Sequence, residues 1–181
     1  DVDAAIVQVL EPALLTVTLS ITTDGALFFA DFARLADPGP LSPWVVESGN
    51  WAVAGGALTG GTNMSQSYGN TYISNNWTEY SIEGLIHFSS PIAWGGGVGG
   101  RLDPVSGAHY SAWVYPEGSP GGPNVLKLIK FQTWTSFGYD GSSGAAMAQA
   151  SVAAPGTNWH AVKLAFQGNQ IEVFYDGNQV I

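Results

Sequence analysis

The chain has 181 residues, a formal net charge of −9 and no cysteine. That length supports one domain with a substantial core, and the missing cysteines exclude disulfide and thiolate-metal frameworks. Five Lys and Arg against fourteen Asp and Glu argue against nucleic-acid and anionic-membrane partners, which require positive charge. The 24 glycines and the low share of charged residues, 10%, suit a turn-rich all-β protein. Seven Trp, seven Tyr and eight Phe exceed what a small core needs, so some are expected on a binding surface.

In chain order, residues 1–24 differ from the rest. Two β-type runs, 5–10 and 14–22, are separated by Glu11-Pro12. In the second, Leu15, Val17, Leu19 and Ile21 alternate with Thr16, Thr18, Ser20 and Thr22, the period of a strand with one buried face. The apolar run 4–19 is interrupted by Gln8, Glu11 and Pro12, so no membrane span is expected. No signal peptide is visible.

Residues 31–43 read as a loop broken by Asp37-Pro38-Gly39-Pro40. Short strands are expected at 44–47, 51–53 and 57–59, with Gly55-Gly56 as a hairpin turn, and 60–69 reads as a polar loop. Strands follow at 71–74 and 78–89. In the latter, Tyr80, Ile82, Gly84, Ile86 and Phe88 share a face. Residues 95–102 form a glycine-heavy strand, where the repetition suggests close approach of another surface or ligand. Strands at 108–115 and 125–133 flank a loop at 116–123. Lys127 and Lys130 fall on opposite faces, and 137–155 is a long Gly/Ser/Ala segment. The clearest unit is the hairpin 159–180: Val162, Leu164 and Phe166 alternate with small and charged residues, Gly168-Asn169 turns the chain, and Ile171, Val173 and Tyr175 return it before Asp176-Gly177. No long α-helix is expected.

The hairpin WHAVKLAFQGNQIEVFYDGNQV, together with FFADF at 28–32, WVVESGNWAVAGGAL at 44–58, GGGVGGRL at 95–102, HYSAWVYP at 109–116 and VLKLIKF at 125–131, resembles the laminin-G-like, concanavalin-A-like jelly-roll superfamily. The resemblance covers about 28–181 and implies an all-β, two-sheet antiparallel jelly-roll sandwich, with 25–181 as the sandwich domain. Such domains usually continue past the Asp-Gly turn with closing strands. Three arrangements therefore fit residues 1–24: a fragment boundary, closure of the same domain in a permuted layout, or donation of strands to a neighbouring copy.

For function, sugars present an apolar ring face and a rim of hydroxyls, which exposed aromatics and polar groups recognise. The candidate carbohydrate-binding residues are Trp94, Arg101, His109, Tyr110, Trp113 and Trp134. His109, Trp113 and Tyr115 share one face of their strand and Tyr110 and Val114 the other; one set is core and the other lies on the concave sheet that the resemblance implies. The resemblance also implies a structural Ca²⁺, for which Asp31, Glu47 and Gly49 match the positions, since calcium takes carboxylate and carbonyl oxygens. A glycosidase needs two carboxylates at a defined separation; Glu79 and Glu83 are the nearest pair, but the Glu-x-Asp-x-x-Glu pattern of the superfamily's hydrolases is absent. Asn63-Met64-Ser65 and Asn76-Trp77-Thr78 match N-glycosylation acceptors. The expected function is a non-catalytic carbohydrate-binding or adhesion module, extracellular or at the cell surface, with a glycan or cell-surface polysaccharide as partner. The alternatives are a structural subunit of a surface filament or layer, assembled with copies of itself by strand exchange through residues 1–24, and a glycoside hydrolase or lyase.

Overall fold

The computed structural model describes residues 4–10, 15–18, 26–63 and 65–181, the first two segments as backbone. The chain is an all-β, two-sheet antiparallel sandwich. Its strands are β1 (Ala4–Leu10), β2 (Leu15–Thr18), β3 (Val45–Ser48), β4 (Asn50–Ala54), β5 (Ala57–Gly61), β6 (Tyr68–Ser74), β7 (Tyr80–Phe88), β8 (Gly96–Gly100), β9 (His109–Tyr115), β10 (Val125–Phe131), β11 (Ala148–Ser151), β12 (His160–Gln167), β13 (Gln170–Tyr175) and β14 (Asn178–Gln179). A 3-10 turn, Phe32–Arg34, precedes β3. The first sheet runs β11-β10-β9-β8-β1-β6-β3 and the second β14-β13-β12-β7-β2-β5-β4. Among the described residues no helix is long and apolar enough to cross a membrane.

The alternations read from sequence place the core. Ile82, Ile86 and Phe88 of β7, Val162 and Leu164 of β12 and Val173 of β13 line the inner face of the second sheet. Val98, Ala112, Val114, Leu126 and Leu128 line that of the first. Period 2 puts every second side chain on the same side, so these rows meet between the sheets. Each fully buried Leu or Ile contributes about 1.5–3 kcal/mol through area removed from water.

The N-terminal strands occupy the middle of both sheets. In β1, Ile6 pairs with Tyr72 on one side and Gly99 on the other. In β2, Val17 pairs with Leu58 and with Ile86. In this single chain β1 and β2 each lie between two strands of the sandwich built by residues 26–181. Without them each sheet separates into two pieces, β8–β11 apart from β3 and β6, and β7 with β12–β14 apart from β4 and β5. Leu19 to Thr22, the end of the strand expected over 14–22, lie outside the described residues.

Two expectations change. Strand β6 begins at Tyr68, inside the stretch read as a polar loop, because it pairs residue for residue with all of β1. Strand β11 lies within the Gly/Ser/Ala segment: AQAS alternates only alanine with polar residues, too weak a pattern to stand out among its small neighbours, and its state is set by pairing with Val125–Leu128 of β10.

Candidate functional site

On the outer side of the first sheet, β9 presents His109, Ser111, Trp113 and Tyr115, and β10 presents Lys127, Ile129 and Phe131 opposite them. This row is covered. Trp113, Ile129 and Phe131 are fully buried and Tyr115 nearly so, with Tyr68, Val125 and Phe137 packed over them. Tyr68 meets Trp113 at 6.0 Å and Phe131 edge-on at 6.2 Å, and Phe137 from the 132–147 segment lies 5.1 Å from Phe131. The 116–123 loop closes the other end, where Lys127 Nζ donates to the Gly121 carbonyl at 2.7 Å and sits 4.6 Å from the Tyr115 ring. Burial lowers the Lys127 pKa. Strand β9 is therefore buried on both faces.

The glycines of β8 serve this packing. A Cβ on Gly95 would meet the Tyr115 ring at 2.8 Å, and one on Gly100 would meet Ile82, Phe166 and the Tyr80 hydroxyl at 2.7 Å. The close approach suggested by the glycine run comes from the protein's own side chains and, at Gly97, from the backbone of Ala112.

Where the cover stops, a cleft of about 490 Å³ opens, lined by Glu47, Ser48, Ser65, Gln66, Ser67, Tyr68, Trp134 and Thr135. That volume suits a small ligand. Two rings wall it. Trp134, half-buried, rests on Tyr72 at 5.6 Å and approaches His109 at 6.4 Å. The turn that carries it is closed by Gln132 N donating to Ser136 O and by Thr133 Oγ1 accepting from Ser136 N. Gly107, at φ +79°, lies so close to the Trp134 ring that a side chain there would displace it. Burial raises the Tyr68 pKa.

The polar lining is partly fixed in place. Asn70 Nδ2 donates to Ser48 Oγ at 3.0 Å and to the Trp134 carbonyl at 3.5 Å, tying the two walls together. Gln66 Oε1 accepts from Gly49 N at 2.8 Å and from Asn63 Nδ2, which leaves the Gln66 NH2 to donate to a ligand. Glu47 is exposed and, among the described residues, forms no ion pair. The site thus combines two aromatic rings, hydroxyls, one amide and one carboxylate.

The residues singled out from sequence take different places. Trp134 lines the cleft, and His109 stands behind it. His109 stacks on Phe131, its Nδ1–H donates to the Gly107 carbonyl at 2.7 Å, and burial lowers its pKa to about 4 against that bond's opposite pull. Trp113 is wholly buried and offers no ring face to a ligand. Tyr110 turns to the inner side and meets Phe166 at 6.3 Å. Arg101, at φ +51°, braces the β12–β13 turn: Nη2 donates to Gly168 O at 2.7 Å and the guanidinium covers Phe166 at 4.8 Å. Trp94, half-buried just before β8, is not among the cleft residues.

Of the positions assigned to calcium, Asp31 caps the 3-10 turn through Ala33 N and pairs with Arg34 Nε at 3.0 Å. Glu47 belongs to the cleft, and Gly49 makes the β3–β4 turn at φ +83°. Among the described residues no three His, Asp or Glu side chains gather as a metal would require. Glu79 Oε1 accepts from Gly168 N, and Glu83 stands opposite Lys163 in the β7–β12 register. Neither lines the cleft.

Sequence reasoning missed Ser65, Gln66, Ser67, Tyr68 and Thr135. Ser65 drew notice only as part of the Asn63-Met64-Ser65 acceptor motif, Ser67 and Thr135 stand in no motif, and Tyr68, an aromatic in a polar stretch, is the one other mark of the place. The class defined by fold and site is a two-sheet β-sandwich with an aromatic-walled, hydroxyl-lined cleft on one sheet. No protein-family model, curated protein or solved structure matches the chain.

Proposed function

We propose that the protein is a non-catalytic carbohydrate-binding module, of the jelly-roll type that its motifs resemble, and that the cleft is its glycan site. The observation that carries this reading is the pairing of Trp134 and Tyr68 with Ser48, Gln66, Ser67 and Thr135 in one open cleft. Aromatic rings take the C–H face of a pyranose and the polar groups take its hydroxyls. Such a function places the protein outside the cell or on its surface. A glycan array probed with the intact protein tests it, followed by titration of Trp134→Ala. Loss of one stacking ring is expected to weaken binding on the order of tenfold, equivalent to about 1.4 kcal/mol, with the fold retained. An array with no binder, or unchanged affinity in Trp134→Ala, contradicts it.

A second reading rests on β1 and β2. Both fill central slots flanked by strands distant in sequence. A second copy's β1 and β2 would make the same ladders, and exchange between copies would build a dimer or filament. The chain has no cysteine, and Ala4 pairs with Ser74. Copies carrying Ala4→Cys are therefore refolded together with copies carrying Ser74→Cys and oxidised. A disulfide-linked dimer supports exchange. Monomers alone, while the double variant closes its own disulfide, contradict it.

A further inference from the structure

We infer that the cleft prefers a glycan bearing a free amine, a 2-amino-2-deoxy sugar, over neutral and anionic sugars, and that Glu47 makes the distinction. This rests on the glycan reading of the same cleft and names its ligand class.

The charges in and around the cleft point one way. Glu47 is the one ionisable carboxylate lining the cleft, and none of the lining residues is cationic. All five Lys and Arg are engaged with other groups. Arg34 pairs with Asp31, Arg101 holds the β12–β13 turn, and Lys127 donates to Gly121. Lys130 lies over Tyr110 at 5.7 Å and Lys163 over Phe174 at 5.3 Å. His109, behind Trp134, is buried and uncharged near neutrality.

A uronate, sulfate or phosphate in the cleft would therefore meet Glu47 with no compensating cation, inside a protein of net charge −9. A neutral sugar would stack on Trp134 and leave Glu47 solvated. A protonated amino group on the ring would gain a charge-assisted hydrogen bond to the carboxylate and attraction to the faces of Tyr68 and Trp134. Because Glu47 is exposed, the preference is modest: roughly two- to fivefold, as exposed ion pairs allow. Salt screens such a pair.

The test is isothermal titration of the intact protein with four probes: β-1,4-linked hexamers of glucosamine, N-acetylglucosamine and glucose, and a hexamer of a uronic acid. The variants are Glu47→Gln and Glu172→Gln. Glu172 is exposed on β13 of the other sheet, so its loss changes net charge equally without touching the cleft. The expected result is that the glucosamine hexamer binds roughly two- to fivefold tighter than the glucose hexamer and that the uronate binds more weakly than glucose by a similar factor. The preference disappears in Glu47→Gln and at 1 M salt, about 3 Å Debye length, and persists in Glu172→Gln. If the glucose hexamer binds as well as the glucosamine one, or both variants lose the preference equally, the role of Glu47 is overturned while the glycan reading stands. If none of the hexamers binds while the array finds another glycan, this inference is overturned and the glycan reading stands; if the array is blank as well, both fail.

Discussion

His109 lies flat against Phe131, with ring centroids 4.5 Å apart and planes 8° from parallel. The pair sits behind Trp134 in a place water does not reach, and burial holds the imidazole neutral by lowering its pKa to about 4 from the usual 6.5. The sign of the resulting pH dependence follows. Between those two values the unfolded chain binds a proton that the folded chain refuses. Stability from this group is therefore complete above pH about 6.5 and falls as pH drops toward 4, by about 3 kcal/mol in all. Denaturant titrations of the wild type and of His109→Gln from pH 7.5 to 4 measure it. The variant is expected to show the shallower slope; equal slopes would contradict the burial argument.

Trp113 is a core residue of the covered face, not a ligand platform. Trp113→Ala is expected to cost about 3–5 kcal/mol, as for a large aromatic removed from a packed site. Thermal unfolding reads the loss as a lowered Tm. A variant of unchanged stability would show that the cover over β9 is open in solution.

Arg101 holds the β12–β13 turn through Gly168. Arg101→Met keeps most of the contact with Phe166 and removes an exposed hydrogen bond, at an expected cost of about 0.5–1.5 kcal/mol. Glycan affinity should not change, since Arg101 does not line the cleft. Weakened binding in a variant of wild-type stability would move the site toward this residue.

Strand β1 is central, with ladder partners on both sides. Val7→Pro removes a donor from the middle of a sheet, which proline does not tolerate there, and is expected to cost at least about 1–3 kcal/mol for the ladder acceptor left unpaired. Denaturation midpoints measure this. A variant as stable as the wild type would mean that β1 does not occupy the slot.

Much of this fold was legible. The hairpin of β12 and β13 and the five-residue row of β7 showed their inner faces through alternation alone, because one face of each meets the core and the other meets solvent or lighter packing. The two N-terminal runs were legible as strands, but not their partners. Ile6 meets residues more than sixty positions away in sequence, and periodicity carries no information on which strand lies alongside. Strand β9 was legible only in part. The sequence left open which of its faces is core, and the structure buries both, because Tyr68 of β6 and Phe137 pack against the Trp113, Tyr115, Ile129 and Phe131 cluster, a cover that leaves no periodic trace in β9 itself. The cleft was half legible: Trp134 stood out as a candidate, whereas Glu47 suggested a metal and the serines suggested only a loop.

The central claim is that Trp134 is the ring a sugar stacks on. Seven tryptophans give seven indole N–H signals in a proton–nitrogen correlation spectrum, assignable by single Trp→Phe variants. Titration with the oligosaccharide that binds best is expected to move the Trp134 signal and to leave that of buried Trp113 in place. Movement confined to Trp94 or exposed Trp159, or no movement at saturating sugar, would contradict the account.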